Sequence, residues 1–437
     1  MISYDFNDPF KFIKISSAIA VIISFYGFGT FGFFNIFGLA LPIQVALVAF
    51  SLITIFVFTS LKLLSEANKP TFLFISFLFI YYGFFLSLSY GSIISGLVNA
   101  YMMWVMTIFI LFIEKKYIFF IGKSIIILST ISAFFGFIVF YIYSFNPVSF
   151  NYDSIELMSS DTGTNAIEPA SFYDYLSFSS GDGYELFGQR LTRVKGYSNE
   201  PSTTLIHYLA PAAMGFFYGR KYILMSTILI GFIVLPVSTV LGILTILMMP
   251  VIYLVMKIKK NSLKNIVVLS GLIAIFTLMS SLDTVLSSIA TYGQDLYASA
   301  GTDLLSRKAG SAESRLVSYN DAIDSIISNP IGGSGQSSTA GIFIQAGLIG
   351  GLVLMTAIIV IGLSIYKNSI MAFNNSNSFN TRIFISMLLS LFLISFVLSA
   401  YGWDRVSGVI ILAILFRHLI ELNQTFGSNK SVKFKHI

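Results

Sequence analysis

Three basic residues close together form the first group in this chain that could do chemistry. Arg190, Arg193 and Lys195 lie within six positions of one another. The guanidinium group of arginine is a planar fork of donors that matches the oxygens of a phosphate, so the group could hold a diphosphate. The same cations could instead form ion pairs with the acidic residues around them. The sequence leaves both interpretations open.

A carboxylate and a histidine follow this basic group. Glu200 immediately precedes Pro201, which suits the first turn of a helix because it has no amide hydrogen to lose. Glu200 could be a general base that deprotonates a hydroxyl, although the helix dipole alone also favours a carboxylate there. His207 lies about two turns further along the same predicted helix. An ionisable residue inside an apolar helix is a candidate site residue, and a hydrogen-bonded structural histidine is the alternative.

A second basic group precedes a glycine-rich turn. Arg307, Lys308 and Arg315 are followed by Tyr319, and the apolar periodicity of 312–328 predicts an amphipathic helix. The backbone amides of the turn could approach an anion, although a simple helix stop explains its glycines as well. These glycines are Gly332, Gly333 and Gly335.

Long apolar stretches must position these residues. Most are long enough to cross a bilayer core of about 30 Å, and inside hydrocarbon they must be helices because each backbone polar group has to be paired within its segment. The sequence therefore predicts an all-α integral membrane protein with about 12 transmembrane helices. Pro236 leaves open whether 222–256 is an external hairpin of two spans or includes a re-entrant segment. The candidate spans are 12–31, 39–61, 70–90, 93–113, 118–144, 202–219, 222–236, 238–256, 265–283, 339–366, 383–401 and 405–421.

Basic residues fall mainly in alternate gaps between these stretches. Under the positive-inside rule these gaps face the cytoplasm, which places both termini there. The other gaps include two large polar loops, 145–201 and 284–338, which hold most of the 20 acidic residues. We therefore expect a single membrane domain, residues 1–437, that does its chemistry on the external side. Arg405, beside Asp404 in the last external turn, could add a cation there or simply pair with its neighbour.

Composition excludes several functional classes. Charged residues make up 11% of the chain and hydrophobic residues 56%, whereas a soluble domain has about 25% charged residues. The net charge of +6 is scattered over short gaps, so no nucleic-acid-binding patch is expected. The chain has no cysteine and three histidines, so thiol chemistry is excluded and neither a histidine-built metal site nor a cofactor is expected.

Two stretches resemble bacterial O-antigen and polysaccharide polymerases of the Wzy type. The first is Arg193-x-x-Gly196-x-x-x-Glu200-Pro201-Ser202, which enters a span. The second resembles the O-antigen polymerase/ligase-like region, and the layout of about 12 spans with two large external loops fits over the whole chain. That second stretch runs from Glu313-Ser314-Arg315 through Tyr319 and Asn329-Pro330-Ile331-Gly332-Gly333-Ser334-Gly335 to Gln345-Ala346-Gly347-Leu348-Ile349-Gly350.

The resemblance implies a glycosyltransferase of the bacterial inner (cytoplasmic) membrane. Such an enzyme joins undecaprenyl-diphosphate-linked oligosaccharide repeat units on the outer face, for lipopolysaccharide or another polysaccharide, and needs no metal. The growing glycan leaves its lipid carrier for the non-reducing end of a new repeat unit. A flippase, a chain-length regulator and membrane lipids are the implied partners. Expected catalytic residues are Glu200, Arg193 and Arg315, and expected substrate-binding residues are Arg190, Lys195, His207, Arg307, Tyr319 and Arg405.

Two related activities are alternatives. O-antigen ligases typically carry a histidine shortly after the glycine turn, whereas residues 336–346 contain none. A lipid-linked oligosaccharide flippase needs charged residues within many spans and has no need of two large external loops. The spans of this chain are nearly free of charge. The sequence therefore favours the polymerase, although the duplicated Arg-x10-Gly pattern of some polymerases is not met.

Overall fold

The computed structural model describes residues 11–27, 73–79, 93–145, 179–186, 189–194, 205–237, 240–258, 327, 341–398 and 406–433. In this part of the chain we number the helices α1 to α9. They are Lys11–Gly27, Ile93–Phe112, Lys115–Phe145, Ala210–Tyr218, Arg220–Phe232, Val240–Lys257, Gly341–Asn375, Phe379–Leu391 and Val406–Lys433. Three π-helical turns, π1 to π3, are Leu205–Leu209, Ile233–Val237 and Phe392–Leu398. The strands β1 (Ser179–Leu186) and β2 (Gln189–Val194) form a hairpin.

Within the described residues, four helical segments are long and apolar enough to cross a membrane. They are Lys115–Tyr141, Arg220–Val237, Gly351–Asn375 and Ser407–Thr425. This part of the chain is almost entirely helical, as the composition predicts for a membrane protein. The hairpin is a departure from the all-α expectation, and it lies within the first predicted external loop. The predicted spans 39–61 and 265–283, and most of 70–90, are outside the described residues.

Two helices continue further than the hydropathy pattern predicts. α7 ends at Asn375 rather than at 366, and α9 ends at Lys433 rather than at 421. Hydropathy marks where a chain leaves hydrocarbon, whereas a helix continues as long as its residues and contacts favour it. Asn423 of α9 donates its side-chain amide to both Asn368 O and Asn368 Oδ1 of α7, at 3.1 Å each. This contact joins the two helices where their polar extensions begin.

Ion pairs and ring contacts show that several helix ends meet at one end of the bundle. Lys14 of α1 pairs with Glu114, which lies between α2 and α3, and Lys115 of α3 pairs with Glu421 of α9. Phe217, near the end of α4, has its ring centroid 5.3 Å from that of Phe384 in α8. Tyr253, near the end of α6, has its ring 6.1 Å from that of Phe379 at the start of α8. We call this end the basic end, because it holds Lys14, Lys115, Lys116, Lys123, Arg220, Lys221, Lys257, Lys367, Arg382 and Arg417.

The region around Pro236 consists of two helices that reverse direction between them. α5 begins and α6 ends at the basic end, so the two helices run in opposite directions. α5 and π2 together, Arg220–Val237, are long and apolar enough to cross a membrane. This length favours a hairpin of two spans over a short re-entrant segment. Pro236 lies inside π2, where the backbone departs from regular α-helical hydrogen bonding.

The core forms around α3 and α9. α3 packs against α1, α4 and α5, while α9 packs against α1, α2 and α7. Ile121 and Ile125 of α3 and Ile410 and Ile414 of α9 are completely buried. Large apolar side chains such as Leu224 remain exposed on the outside, which is the arrangement expected of a protein whose surface meets lipid tails.

Glycines allow α4 and α5 to pack closely side by side. Gly219, between them, has φ of 98°, a conformation that other residues rarely adopt. A Cβ atom added at Gly215 would lie 2.0 Å from Ser226 Oγ and 2.9 Å from the carbonyl oxygen of Tyr222. Ser226 Oγ donates to Ala212 O at 2.8 Å across the same contact. The α4–α5 contact therefore depends on the missing side chain at Gly215.

We expect Gly215→Ala to reduce the free energy of unfolding by about 1–3 kcal/mol, because the added methyl group must push α5 away from α4. The thermal midpoint of the purified protein in detergent measures this loss. Gly231→Ala is the matched control, because the nearest atom to its added Cβ would be Phe137 Cζ at 3.7 Å, an ordinary contact. Equal losses in the two variants would contradict the close approach.

Candidate functional site

The hairpin carries two of the predicted site residues at the end of the bundle opposite the basic end. β1 and β2 are antiparallel, and Arg190 of β2 lies directly opposite Glu185 of β1 in the register. β2 packs against α3 and against π2, which ends α5. Leu191 and Val194 of β2 are buried in the core. These two apolar residues anchor the strand that carries Arg190 and Arg193.

The two arginines differ in their place in the backbone register. Arg190 lies directly opposite Glu185 in the regular part of the hairpin. Arg193 lies at an irregularity, between the pairs Thr192 with Gly183 and Val194 with Ser179, where three residues of β1 (180–182) stand against one of β2. Such irregularities locally bend a strand and often occur beside functional sites.

The second part of the site is the π-helical turn π1, which is buried beside α3. A π-helical turn is rare and frequently occurs at functional sites, because its wider ring leaves some backbone groups outside the regular hydrogen-bond pattern. Ser129 Oγ of α3 donates to the carbonyl oxygen of His207 at 2.7 Å. Ser129 lies near the middle of the candidate span Lys115–Tyr141. The turn is therefore held at the middle of a helix that is long and apolar enough to cross a membrane.

Tyr26 of α1 joins the same hydrogen-bond network. Its hydroxyl donates to Ile125 O at 2.8 Å and lies 2.9 Å from Ser129 Oγ. Each hydroxyl also donates to a backbone carbonyl, Tyr26 to Ile125 O and Ser129 to His207 O, so either oxygen could be the donor in the contact between them. The network connects α1, α3 and π1.

The imidazole of His207 is completely buried inside this network. Its Nε2 is 3.3 Å from the carbonyl oxygen of Phe25, and a carbonyl can only accept, so Nε2 carries the proton. Phe25 is in the last turn of α1, where carbonyl groups have no partner within the helix. The Phe25 ring centroid is 5.1 Å from that of the imidazole. His207 therefore caps the end of α1 in this conformation.

π1 and the hairpin share their supports. The Tyr208 hydroxyl lies 2.7 Å from Ser132 Oγ of α3, and its ring centroid is 4.8 Å from that of Phe232. Phe232 is the last residue of α5 before π2, and β2 packs on π2. A continuous set of contacts thus runs from His207 through Tyr208, Phe232 and π2 to the strand that carries the arginines.

The structure locates three of the predicted site residues. Arg190 and Arg193 lie on β2, and His207 lies in π1 on the same support. The other six are in parts of the chain that the structure does not describe: Lys195, Glu200, Arg307, Arg315, Tyr319 and Arg405. Among the described residues, no group of three or more histidine, aspartate or glutamate side chains could hold a metal ion.

Four polar residues of this network were not predicted from the sequence. They are Tyr26, Ser129, Ser132 and Tyr208. Ser129 and Ser132 are three positions apart and so share one face of an apolar helix, which was the available signal. Serine is common in membrane-spanning helices, where its hydroxyl can donate to a carbonyl of its own helix. The spacing therefore did not show that these two serines bind groups on another segment.

The basic end contains a separate group of charges. Glu421 is almost completely buried, with Arg417 Nε at 3.3 Å and Lys115 Nζ at 3.4 Å from its two oxygens. Glu114 is more exposed, and it pairs with Lys14 and Lys116. Partial burial raises the pKa of the Glu114 carboxyl, but the two lysines outweigh this effect and hold the pKa below its ordinary value of 4.5. These pairs join α1, α3 and α9 where they leave the apolar region.

No protein-family model, functionally characterised protein or solved structure shows a significant match to this chain.

Proposed function

We propose that this protein is a polymerase of lipid-linked oligosaccharide repeat units, acting on the outer face of the bacterial inner membrane. The observation that carries the proposal is the placement of β2. A strand with two arginines is anchored on the core at the end of the helical bundle opposite the basic end. Membrane proteins concentrate arginine and lysine on the cytoplasmic side, so arginines held at the other end have another purpose.

The proposed reaction needs a site that stabilises a diphosphate. The substrate is an oligosaccharide linked to undecaprenyl diphosphate, and a hydroxyl at the non-reducing end of a second unit attacks the anomeric carbon. A new C–O bond forms, and the bond between that carbon and the diphosphate oxygen breaks with its electron pair on the diphosphate. Arginines at fixed positions stabilise this developing charge, because guanidinium groups match phosphate oxygens.

The proton of the attacking hydroxyl must go to a base. Glu200 is our candidate for this base, because it follows β2 closely in the chain and precedes the helical segment that begins at π1. His207 is buried and caps α1, so we assign it to positioning this segment. Arg307, Arg315, Tyr319 and Arg405 are proposed to complete the glycan and diphosphate contacts from the second loop and the last external turn. A flippase would supply the substrate, and a chain-length regulator would act on the product.

The test is an electrophoretic profile of surface polysaccharide from cells that lack this protein and from cells rescued with it. We expect a ladder of repeat lengths in the rescued cells and a band of single repeats in the deletion. Loss of every surface repeat in the deletion would instead identify a ligase or a flippase. An unchanged ladder would overturn the proposal.

A further inference from the structure

At the basic end, the ammonium group of Lys123 lies among three aromatic rings. Its Nζ is 5.9 Å from each of the ring centroids of Phe119, Tyr218 and Tyr222. This distance is close to the limit of about 6 Å for a cation–π interaction. No described carboxylate pairs with Lys123, although neighbouring lysines of the same helix are paired. Lys123 therefore keeps its positive charge available at the side of α3.

Two further cations lie beside these rings at the start of α5. Arg220 and Lys221 are exposed, and in the chain they lie between Tyr218 and Tyr222, after Gly219. Neither forms an ion pair with a described acidic residue. Because Lys123 contacts the rings of both α4 and α5, the start of α5 is level with the third turn of α3. The first two turns of α3 thus extend past α5 and form a step, which we call the cationic step (Lys123, Arg220 and Lys221).

The surface immediately below the cationic step is apolar and exposed. Ile127, four positions after Lys123, is 39% exposed, and Leu128 beside it is 37% exposed. Leu224, four positions after Arg220, is 69% exposed. Residues four apart lie on one face of a helix, so Lys123 and Arg220 each share a face with an exposed apolar side chain. Both helices are long and apolar enough to cross a membrane.

We propose that the cationic step binds the headgroup of an anionic phospholipid, with the acyl chains along Ile127, Leu128 and Leu224. Basic pockets between transmembrane helices on the cytoplasmic side are suited to anionic headgroups. A soluble anion needs only the cations, whereas this surface combines three cations that pair with no described carboxylate and exposed apolar side chains further along the same helices. The orientation of a membrane protein requires only a surplus of basic residues on the cytoplasmic side. It does not require basic residues of two helices to lie close together. This inference is independent of the polymerase reaction.

The experiment uses the full-length protein purified in an uncharged detergent. Native mass spectrometry measures the apparent affinity for phosphatidylglycerol and for phosphatidylcholine. The test variant is Lys123→Gln/Arg220→Gln/Lys221→Gln. The matched control, Lys116→Gln/Lys257→Gln/Lys367→Gln, removes three cations from the same end of the bundle but none from the step. Inorganic phosphate, alone and as a competitor, distinguishes a free anion from a lipid headgroup.

We expect the wild type and the control variant to bind phosphatidylglycerol at least about tenfold more tightly than the test variant does, since each cation near a phosphate contributes to binding. Phosphatidylcholine binding should be the same in all three proteins. Equal weakening in both variants, or in neither, would overturn the proposal. So would inorganic phosphate that binds as tightly as the lipid with the same sensitivity to the variants. If the triple variant does not fold, Arg220→Gln alone is the test, because its side chain is exposed and should be replaceable without loss of stability.

Discussion

Replacing Arg193 with alanine should reduce a ladder of polysaccharide lengths to a band of single repeats. If Arg193 stabilises the charge that develops on the departing diphosphate, its loss removes a donor from the transition state, which typically slows a reaction by about 100-fold or more. Under the proposed function a separate flippase exports the single units, so they should still reach the surface. Gel profiles of cells rescued with wild type or with Arg193→Ala measure the effect.

Two controls separate this role from damage to the hairpin. Thr192→Ala changes the neighbouring residue of β2, and should leave the ladder unchanged because it removes no charge. Arg193→Lys keeps the charge but loses the planar fork, and should restore only part of the chain length. Protein levels in the membrane, checked by immunoblot, should be equal in all variants. A full ladder from Arg193→Ala at wild-type protein level would show that Arg193 has no part in the reaction.

Replacing Glu421 with glutamine should strongly destabilise the protein. Glu421 is 4% exposed and is the described acidic partner of both Arg417 and Lys115 at the basic end. Removing one member of a buried pair leaves an uncompensated charge, which typically costs about 3–5 kcal/mol. Among the described residues, Arg417 would then retain only its hydrogen bond to the carbonyl of Leu111, at 3.0 Å. The thermal midpoint of the purified protein should therefore fall sharply.

The exposed pair of Lys116 with Glu114 is the matched control, because the two side chains are 42% and 43% exposed. Exposed ion pairs contribute about 0–1 kcal/mol, so Lys116→Gln should have a small effect at neutral pH. Glu114 keeps its pair with the buried Lys14 in this variant. The lowered pKa of Glu114 means that its stabilising contribution is complete above its ordinary value of 4.5 and is lost as the pH falls through the lowered pKa. The difference between wild type and Lys116→Gln should therefore shrink on acidification below that value.

A second variant tests the reason given for Glu421. Replacing both members of a buried pair with apolar residues is often neutral or stabilising, because the cost of burying the charges disappears with them. Arg417→Met/Glu421→Leu should therefore be more stable than Glu421→Gln alone, with Lys115 free to reach water since its side chain is 57% exposed. If the double variant is the less stable of the two, the uncompensated charge is not the cause.

The amino-acid sequence by itself determined that this is a helical membrane protein and where most of the described helices begin. It also determined that the described basic residues gather at one end of the bundle. These features depend on local composition. An apolar stretch must pair its backbone within itself, so α2 and α3 begin within a few residues of the predicted positions 93 and 118. The described basic residues of alternate gaps share one end, where the helices that carry them begin or end.

Only the tertiary structure decided what each polar side chain contacts. Ser129, Tyr26 and His207 are far apart in the chain, and no local pattern could predict that they meet at the end of α1. Asn423 and Asn368 likewise explain, through a contact between helices, why α7 and α9 continue beyond their apolar stretches. The polar hairpin forms a stable strand pair because Leu191 and Val194 are buried on the core. Such partners depend on the packing of whole helices, because the free energy of a buried hydrogen bond or ion pair depends on what surrounds it.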